Sequence, residues 1–277
     1  MTTSGRSRLV EIANRLIDPV LKAGAVEMQH YEAGVDVEAK ADASPVTAAD
    51  RDAEAILLAA LEEIAPDIPV IAEESVSEGR VPKIGRSFFL VDPLDGTKEF
   101  INKRGEFTVN VALIEDGAPV LGIVYAPAIG ELYATLEPGA SFVAHLVPGS
   151  AVRRSADCAF RRINVRVPGD RLTAVASRSH KSAETEAFLG RYSIAERRDS
   201  GSSLKFCAIA RGDADIYPRL APTMEWDIAA GHAVLVAAGG AVTTPEGAGI
   251  RYGKAEAGFR NGHFVAWGAP RPIPARV

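Results

Sequence analysis

Residues 88–97, Phe-Phe-Leu-Val-Asp-Pro-Leu-Asp-Gly-Thr, constrain the fold of this chain more than any other stretch. The four apolar residues at its start predict a buried β-strand. Pro93 then restricts the backbone after Asp92, and Gly96 permits a tight backbone path after Asp95. The strand is therefore expected to end in two closely spaced carboxylates. Because Pro, Asp and Gly are also the usual turn residues, the last six residues alone are equally compatible with a plain turn.

Hydrophobic periodicity divides the rest of the chain into helices and strands. Apolar residues at helical spacing predict an amphipathic helix over residues 8–30. A second helix is predicted to begin near Thr47, where Thr47 and Asp50 form a capping-box pattern. Two apolar runs around an Asp-Gly turn predict a hairpin from residues 108–114 and 120–125. Further strands are predicted at 69–75, 172–176, 241–244 and 263–267, and further helices at 182–192, 202–211 and 227–238.

Acidic residues lie at the ends of several of these elements. They are Asp50, Glu73, Glu74, Asp92, Asp95 and Asp227. Hard divalent cations such as Mg²⁺ prefer oxygen ligands, and acids at strand ends and helix starts can converge on such an ion. Taken singly, each acid also fits an ordinary role on the surface, in a turn or at a helix cap.

Charge and motif content exclude several classes of protein. The net charge of −5 argues against a surface that binds a nucleic-acid polymer, which needs a basic patch. The two cysteines, Cys158 and Cys207, form no CxxC pair, so a zinc site is not expected. The sequence contains no P-loop, HExxH or GxSxG motif and no run of about 18 apolar residues, so no transmembrane segment is expected.

Four motifs, taken in order, favour the metal site over the ordinary roles. Val-Thr-Ala-Ala-Asp at 46–50, Glu-Glu-Ser at 73–75, Val-Asp-Pro-Leu-Asp-Gly-Thr at 91–97 and Trp-Asp-Ile-Ala-Ala-Gly at 226–231 resemble the inositol monophosphatase superfamily. The resemblance covers nearly the whole chain. Lys-Glu-Phe at 98–100, Ser-Arg-Ser-His at 177–180, Gly-Ser-Ser-Leu-Lys-Phe-Cys at 201–207 and Tyr-Pro-Arg at 217–219 are similar to its CysQ-type branch of 3′(2′),5′-bisphosphate nucleotidases.

The resemblance implies a fold and a domain organisation. The fold is α+β, a layered αβαβα sandwich of the inositol monophosphatase and fructose-1,6-bisphosphatase type. Residues 1–155 are expected to form an N-terminal α+β portion that carries most metal ligands. Residues 156–277 are expected to form a C-terminal α/β portion with Asp227 and the residues that set substrate specificity. The two portions would make one compact catalytic unit.

The resemblance also implies roles for individual residues. The metal ligands, for two or three Mg²⁺ ions, would be Glu73, Asp92, the Leu94 carbonyl, Asp95 and Asp227. The residues implied in catalysis are Asp50 and Thr97, a pair that orients and deprotonates the attacking water, and Glu74. Substrate contacts are implied for Glu73, Leu94, Asp95, Gly96, Thr97, Ser177, His180, Ser202, Lys205, Arg219 and Asp227. Without the motifs at 177–180 and 201–207, Lys205 and His180 would be interpreted as ordinary surface residues.

The expected activity is hydrolysis of adenosine 3′,5′-bisphosphate to AMP and phosphate, with 3′-phosphoadenylyl sulfate as a second substrate, in sulfate assimilation. The alternatives are an inositol or fructose bisphosphate phosphatase of the same superfamily, and a binding protein without activity. The resemblance implies a monomer or homodimer in the cytoplasm, free or peripheral on the cytoplasmic face of the inner membrane. Inhibition by Li⁺ is also expected from it.

Overall fold

The computed structural model describes residues 3–34, 37–39, 45–147, 158–177 and 182–270. Its α-helices are α1 (Thr3–Ala33), α2 (Ala48–Ile64), α3 (Glu73–Ser77), α4 (Thr97–Ile101), α5 (Ala183–Leu189), α6 (Leu204–Ala210) and α7 (Glu225–Ala237). A short 3₁₀ helix spans Ala255–Ala257. Within the described residues, none of the helices is both long and apolar enough to span a membrane.

Two large sheets organise the strands. The described strands of the first sheet are β3 (Val70–Ala72), β4 (Ser87–Asp95), β5 (Thr108–Glu115), β6 (Ala118–Ala126), β7 (Glu131–Glu137), β8 (Ala140–His145) and β9 (Arg161–Ile163), side by side in that order. Only β3 and β4 run parallel in this sheet; its other neighbours among the described strands are antiparallel.

The second sheet has the order β11-β10-β12-β16-β14. These strands are β10 (Leu172–Ser177), β11 (Ile194–Ser200), β12 (Ile216–Arg219), β14 (Ala241–Thr243) and β16 (Phe264–Trp267). Two small ladders, β1 (Glu38–Ala39) with β2 (Pro45–Val46) and β13 (Thr223–Met224) with β15 (Arg260–Asn261), lie apart from them.

Helices cover both faces of each sheet in alternating layers. Apolar residues of α1 and α2, such as Leu16 and Leu57, pack on one face of the first sheet. On its other face, α6 and α7 share a core with both sheets that includes Phe206 and Val234. The outer face of the second sheet packs against Phe188 of α5. The chain therefore folds as the layered αβαβα sandwich that its motifs predict.

The central helix α7 lies unusually close to the first sheet. Gly122 on β6 makes this approach possible, because a Cβ there would lie 2.3 Å from the Ala230 carbonyl oxygen. Gly231 on α7 allows a similarly close approach of α7 to α6, because a Cβ there would lie 2.6 Å from the Phe206 ring. Most residues of α7 are buried, and apolar residues lie on all sides of the helix.

Most of the elements expected from periodicity are present, with modest shifts at their ends. The first helix, the capped second helix and the hairpin of β5 and β6 are confirmed. Strands β7, β8, β9, β11 and β12 were not predicted. The strand predicted over residues 69–75 ends at Ala72, because Glu73 begins the helix α3. The predicted division at residue 155 lies outside the described residues, and one hydrophobic core joins residues from both sides of it, such as Ile71 and Phe264.

Candidate active site

Three carboxylates converge where the first sheet meets the start of α7. Glu73 opens α3 directly after β3, Asp92 lies near the end of the adjacent strand β4, and Asp227 lies in the first turn of α7. One oxygen from each side chain lies within 4.8 Å of the other two. The parallel pairing of β3 and β4 brings Glu73 and Asp92 to the same sheet edge. This cluster offers the hard oxygen ligands that a divalent cation such as Mg²⁺ takes.

Asp95 lies beside this cluster, where a hydroxyl group and a side-chain amide contact its carboxylate. Its Oδ2 accepts a hydrogen bond from Ser202 Oγ at 2.6 Å and lies 3.5 Å from Asn110 Nδ2. Ser202 is also hydrogen bonded to Thr108 Oγ1, and its backbone has a φ of 51°, which is rare for a residue other than glycine. Ser202 was expected to contact substrate, and in this structure its hydroxyl orients Asp95.

The junction between β4 and α4 turns sharply around Asp95. The ladder between β4 and β5 shifts register between Asp92 and Asp95, where Pro93 supplies no N–H group. Gly96 then adopts a left-handed conformation with φ 98°, in which a side chain would be strained. The tight path expected at Gly96 is therefore present, and it places Thr97 at the start of α4.

Thr97 and Asp50 lie within hydrogen-bonding reach of each other. Thr97 Oγ1 is 3.3 Å from Asp50 Oδ1 and 3.4 Å from the Leu94 carbonyl oxygen. The second carboxylate oxygen of Asp50 accepts hydrogen bonds from the Thr47 backbone N–H at 2.8 Å and from Thr47 Oγ1 at 2.7 Å. Asp50 therefore completes the capping box of α2 with one oxygen and faces Thr97 with the other.

Glu54, which no motif singles out, fixes the segment that carries Glu73. It is a buried residue of α2, one turn after Asp50. Its carboxylate accepts hydrogen bonds from the backbone N–H groups of Glu74 and Ser75, each at 2.8 Å, and from Ser75 Oγ at 2.6 Å. The only sequence signal for this role was its spacing of four residues from Asp50, which places both acids on one helix face.

A cavity of about 270 Å³ joins the acidic cluster to a basic wall. Lys205 in that wall is only 4% exposed, and its ammonium group donates to the Ser202 and Ser200 carbonyl oxygens. Arg219 lies at the end of β12, with its Nε buried and without a hydrogen-bond partner in the described structure. Lys205 is thus a buried cation of the site, in contrast to the surface lysine that its helix position alone suggested.

Burial and crowding of like charges perturb the titration of this site. Burial, followed by the charges of Asp95 and Glu73, raises the pKa of Asp227 well above its ordinary value. Burial also raises the pKa of Asp95, although Lys205 and Ser202 oppose the shift. Burial lowers the pKa of Lys205 to about 8. A bound cation among the acids would relieve the repulsion, so their environment suits a metal.

The cavity is bordered by most residues that the sequence assigns to metal or substrate. Those that line it are Glu73, Asp95, Gly96, Thr97, Ser177, Ser202, Lys205, Arg219 and Asp227. Asp92 belongs to the carboxylate cluster, and Leu94 and Asp50 reach the site through Thr97. Glu74 is buried beside Glu73, whereas His180 lies outside the described residues. The individual roles of these residues stay predictions.

The sequence matches one protein family and is similar to two named nucleotidases. Residues 8–266 match the model of the inositol monophosphatase family. The 3′(2′),5′-bisphosphate nucleotidase CysQ of Shigella flexneri is 44% identical over 247 residues, which cover 88% of this chain and 95% of that protein. The protein of the same name from Escherichia coli strain K12 is 43% identical with the same coverage.

Solved structures agree with the sequence comparison. The crystal structure of CysQ from Bacteroides thetaiotaomicron, described as a bacterial member of the inositol monophosphatase family, has a TM-score of 0.74 to this chain. The two are 36% identical, and the match covers 97% of this chain and 98% of that one. An IMPase of Thermotoga maritima has a TM-score of 0.72 at 25% identity, with 92% and 91% covered.

Proposed function

Because this chain belongs to the inositol monophosphatase family, we propose that it is a Mg²⁺-dependent 3′(2′),5′-bisphosphate nucleotidase. Its substrate is adenosine 3′,5′-bisphosphate, which it converts to AMP and phosphate, with 3′-phosphoadenylyl sulfate as a second substrate. The observation that carries the proposal is the single cavity that joins the acids Glu73, Asp95 and Asp227 to the cations Lys205 and Arg219. A bisphosphate presents one phosphate to each end of such a cavity.

The acidic end fits Mg²⁺, because carboxylate oxygens of Glu73, Asp92 and Asp227 converge within 4.8 Å. Asp95 and the Leu94 carbonyl would complete the ligand set for two or three ions. Bound Mg²⁺ would supply positive charge that increases the acidity of the attacking water and offsets the charge on the transferring phosphoryl group.

Thr97 and Asp50 would prepare the water for attack on the 3′-phosphate. The Thr97 hydroxyl, 3.3 Å from Asp50 Oδ1, orients the water, and Asp50 accepts the proton that leaves it. The water oxygen bonds to phosphorus while the bond from phosphorus to the 3′-oxygen breaks. The 3′-oxygen takes up a proton from solvent water and leaves as the hydroxyl group of AMP, and Asp50 returns the proton it accepted to solvent. Backbone N–H groups after Asp95, in the first turn of α4, would donate hydrogen bonds to the phosphate.

Lys205 and Arg219 would bind the second phosphate, and the sequence motif assigns Ser177 and His180 to the same phosphate. Lys205 is buried, and burial lowers its pKa to about 8, so a phosphate bound beside it would raise that pKa and favour the charged form. Arg219 lines the same cavity and adds a second positive charge to it. An inositol monophosphate would leave this basic wall without a partner, so the wall favours a bisphosphate.

The test is phosphate release from adenosine 3′,5′-bisphosphate, myo-inositol 1-phosphate and fructose 1,6-bisphosphate, each with Mg²⁺ and with EDTA. We expect the largest kcat/KM with the nucleotide and no release in EDTA. A larger kcat/KM with either of the other compounds would overturn the choice of substrate. If none of the three released phosphate, the chain would be a binding protein of this fold.

The biological setting proposed for this activity is removal of a by-product of sulfate assimilation. The reaction would take place in the cytoplasm, with the protein free or at the cytoplasmic face of the inner membrane, and as a monomer or homodimer. Residues 1–155 and 156–277 would act as one catalytic unit, because Asp227 from the second portion meets Asp92 from the first. We also propose that Li⁺ inhibits this phosphatase activity.

A further inference from the structure

Glu54 is a fully enclosed acid whose carboxylate is used only inside the protein. It is 3% exposed and accepts three hydrogen bonds, from the Glu74 N–H, the Ser75 N–H and the Ser75 hydroxyl, at 2.6–2.8 Å. All three donors lie in the first turn of α3, directly behind Glu73. Hydrogen bonds from backbone N–H groups to a charged acceptor are among the stronger ones in proteins.

The helix that carries Glu54 also carries Asp50, one turn earlier. Asp50 faces Thr97 with one oxygen, while Glu54 holds the start of α3. Because residues four apart lie on the same face of a helix, α2 sets the distance between the Thr97–Asp50 pair and the Glu73 carboxylate. Ala72, the N-cap residue of α3, makes no side-chain cap hydrogen bond, so the Glu54 carboxylate accepts the hydrogen bonds that a cap residue would otherwise accept.

We propose that Glu54 is a positioning residue that sets the metal affinity of the site by fixing the backbone at Glu73 and Glu74. This proposal rests on the proposed function only in taking Glu73 as a metal ligand. The four orphan N–H groups at the start of a helix need acceptors, and a carboxylate there also complements the helix dipole. Without the Glu54 carboxylate, the backbone at the start of α3 gains conformational freedom. Metal binding must then order Glu73, which weakens the metal affinity.

The variant that tests this is Glu54→Gln, which keeps the volume of the side chain. The amide has one oxygen, so one of the two backbone N–H groups loses its acceptor and faces an NH₂ group instead. The matched control is Glu62→Gln, which makes the same change at an exposed position of α2. Mn²⁺ serves as the probe, and its binding to the apo protein is measured by electron paramagnetic resonance at a temperature where the protein is folded.

We expect the Mn²⁺ Kd of Glu54→Gln to rise about 10- to 100-fold, which is typical when a group that orients a metal ligand is lost. The Mg²⁺ concentration for half-maximal activity should rise in step, and excess Mg²⁺ should restore kcat. Glu62→Gln should match the wild type in each measurement. An unchanged Mn²⁺ Kd in Glu54→Gln would overturn the proposal, as would a loss of kcat that excess Mg²⁺ does not restore.

A second variant covers the case in which Glu54→Gln does not fold. Ser75→Ala removes the shortest of the three hydrogen bonds to Glu54, together with the hydrogen bond that Ser75 Oγ accepts from Arg80, and we expect a smaller rise of the Mn²⁺ Kd in the same direction. An unchanged Kd in this variant would also contradict the proposal. Since Mn²⁺ binding involves no substrate, these results stand even if the nucleotide proves to be the wrong substrate.

Discussion

Asp95 is a proposed metal ligand, and its carboxylate also accepts a hydrogen bond from Ser202. In Asp95→Asn the side chain keeps an oxygen that can accept the 2.6 Å hydrogen bond from Ser202 Oγ, but it loses its charge. We therefore expect this variant to lose most phosphatase activity and to keep its fold. Circular dichroism and thermal unfolding in EDTA would check the fold, and phosphate release with Mg²⁺ would check the activity.

Asp116→Asn is the matched control for this change. Asp116 is an exposed acid in the turn between β5 and β6 and pairs with Arg86. Its replacement should leave turnover near the wild-type value. Near-wild-type turnover in Asp95→Asn would show instead that Asp95 does not serve the metals.

A second buried acid, Glu27 on α1, lies outside the cavity. It has no exposed surface, and neither of its carboxyl oxygens has a hydrogen-bond partner within the described residues. Burial, followed by the charge of Asp50, raises the pKa of Glu27 well above its ordinary value of 4.5. As pH rises past 4.5, the unfolded chain ionises while the folded chain stays protonated, so this group makes folding progressively less favourable.

Glu27→Gln should remove this pH dependence. We expect the stability of the variant relative to the wild type to grow by up to about 1.4 kcal/mol per pH unit above the ordinary pKa of the acid. Urea unfolding at pH 5.5, 6.5 and 7.5 measures the difference. Glu32→Gln, an exposed change on the same helix, should give a constant difference across this range. A constant difference for Glu27→Gln would mean that Glu27 is ionised in the folded protein.

At the scale of elements, the approach of α7 to β6 positions Asp227, the proposed metal ligand in the first turn of α7. In Gly122→Ala the new Cβ would lie 2.3 Å from the Ala230 carbonyl oxygen and 2.8 Å from the Ala233 Cβ. Neither can yield without moving α7, so we expect a loss of about 1–3 kcal/mol in stability. Because α7 carries Asp227, the Mg²⁺ concentration for half-maximal activity should also rise.

A glycine with free space beside it provides the control for this prediction. A Cβ at Gly249 would meet no atom within 4 Å, and its φ is not positive. Gly249→Ala should therefore leave both unfolding and the Mg²⁺ requirement unchanged. If Gly122→Ala shifted stability without shifting the Mg²⁺ requirement, the position of Asp227 would not depend on this contact.

Elements with local signals were predictable from the sequence, and those stabilised by their neighbours were not. The start of α2 is predictable from Thr47 and Asp50, because the capping box that they form spans only four residues. Strand β11 has mostly exposed charged residues and forms because it pairs in parallel with β10. Parallel pairing joins segments distant in the chain, so no pattern within β11 indicates it.

The same distinction explains what the sequence indicated about the site. Acids such as Asp92 and Asp95 stand in a motif, so their convergence with Asp227 could be anticipated. The contact of Ser202 with Asp95 and that of Glu54 with the start of α3 depend on how separate elements meet. Only the folded chain brings those groups together.

At the scale of the whole molecule, metal binding should couple to stability. Glu73, Asp92 and Asp227 repel one another in the absence of a cation, and the unfolded chain does not hold them together. A ligand that binds only the folded state stabilises it by about 2.7 kcal/mol at 100 times its Kd. We therefore expect Tm in EDTA to be several degrees lower than in saturating Mg²⁺, with a steady rise as Mg²⁺ is added.

A general effect of ionic strength on Tm must be distinguished from the effect of specific Mg²⁺ binding. NaCl at matched ionic strength should leave Tm close to its value in EDTA, and Asp92→Asn should abolish most of the response to Mg²⁺. An equal rise of Tm with NaCl and Mg²⁺ would contradict a specific site at these acids.

The placement of α7 between the two sheets has a practical consequence. The polypeptide before residue 148 contains Asp50, Glu73 and Asp92, and the polypeptide after residue 157 contains Asp227 and α7. If the gene is divided between these points, each half holds an incomplete set of acids and exposes the apolar surface that α7 and the first sheet bury together. Turnover would then report the meeting of two separate polypeptides, so the enzyme could serve as a split reporter whose signal is released phosphate.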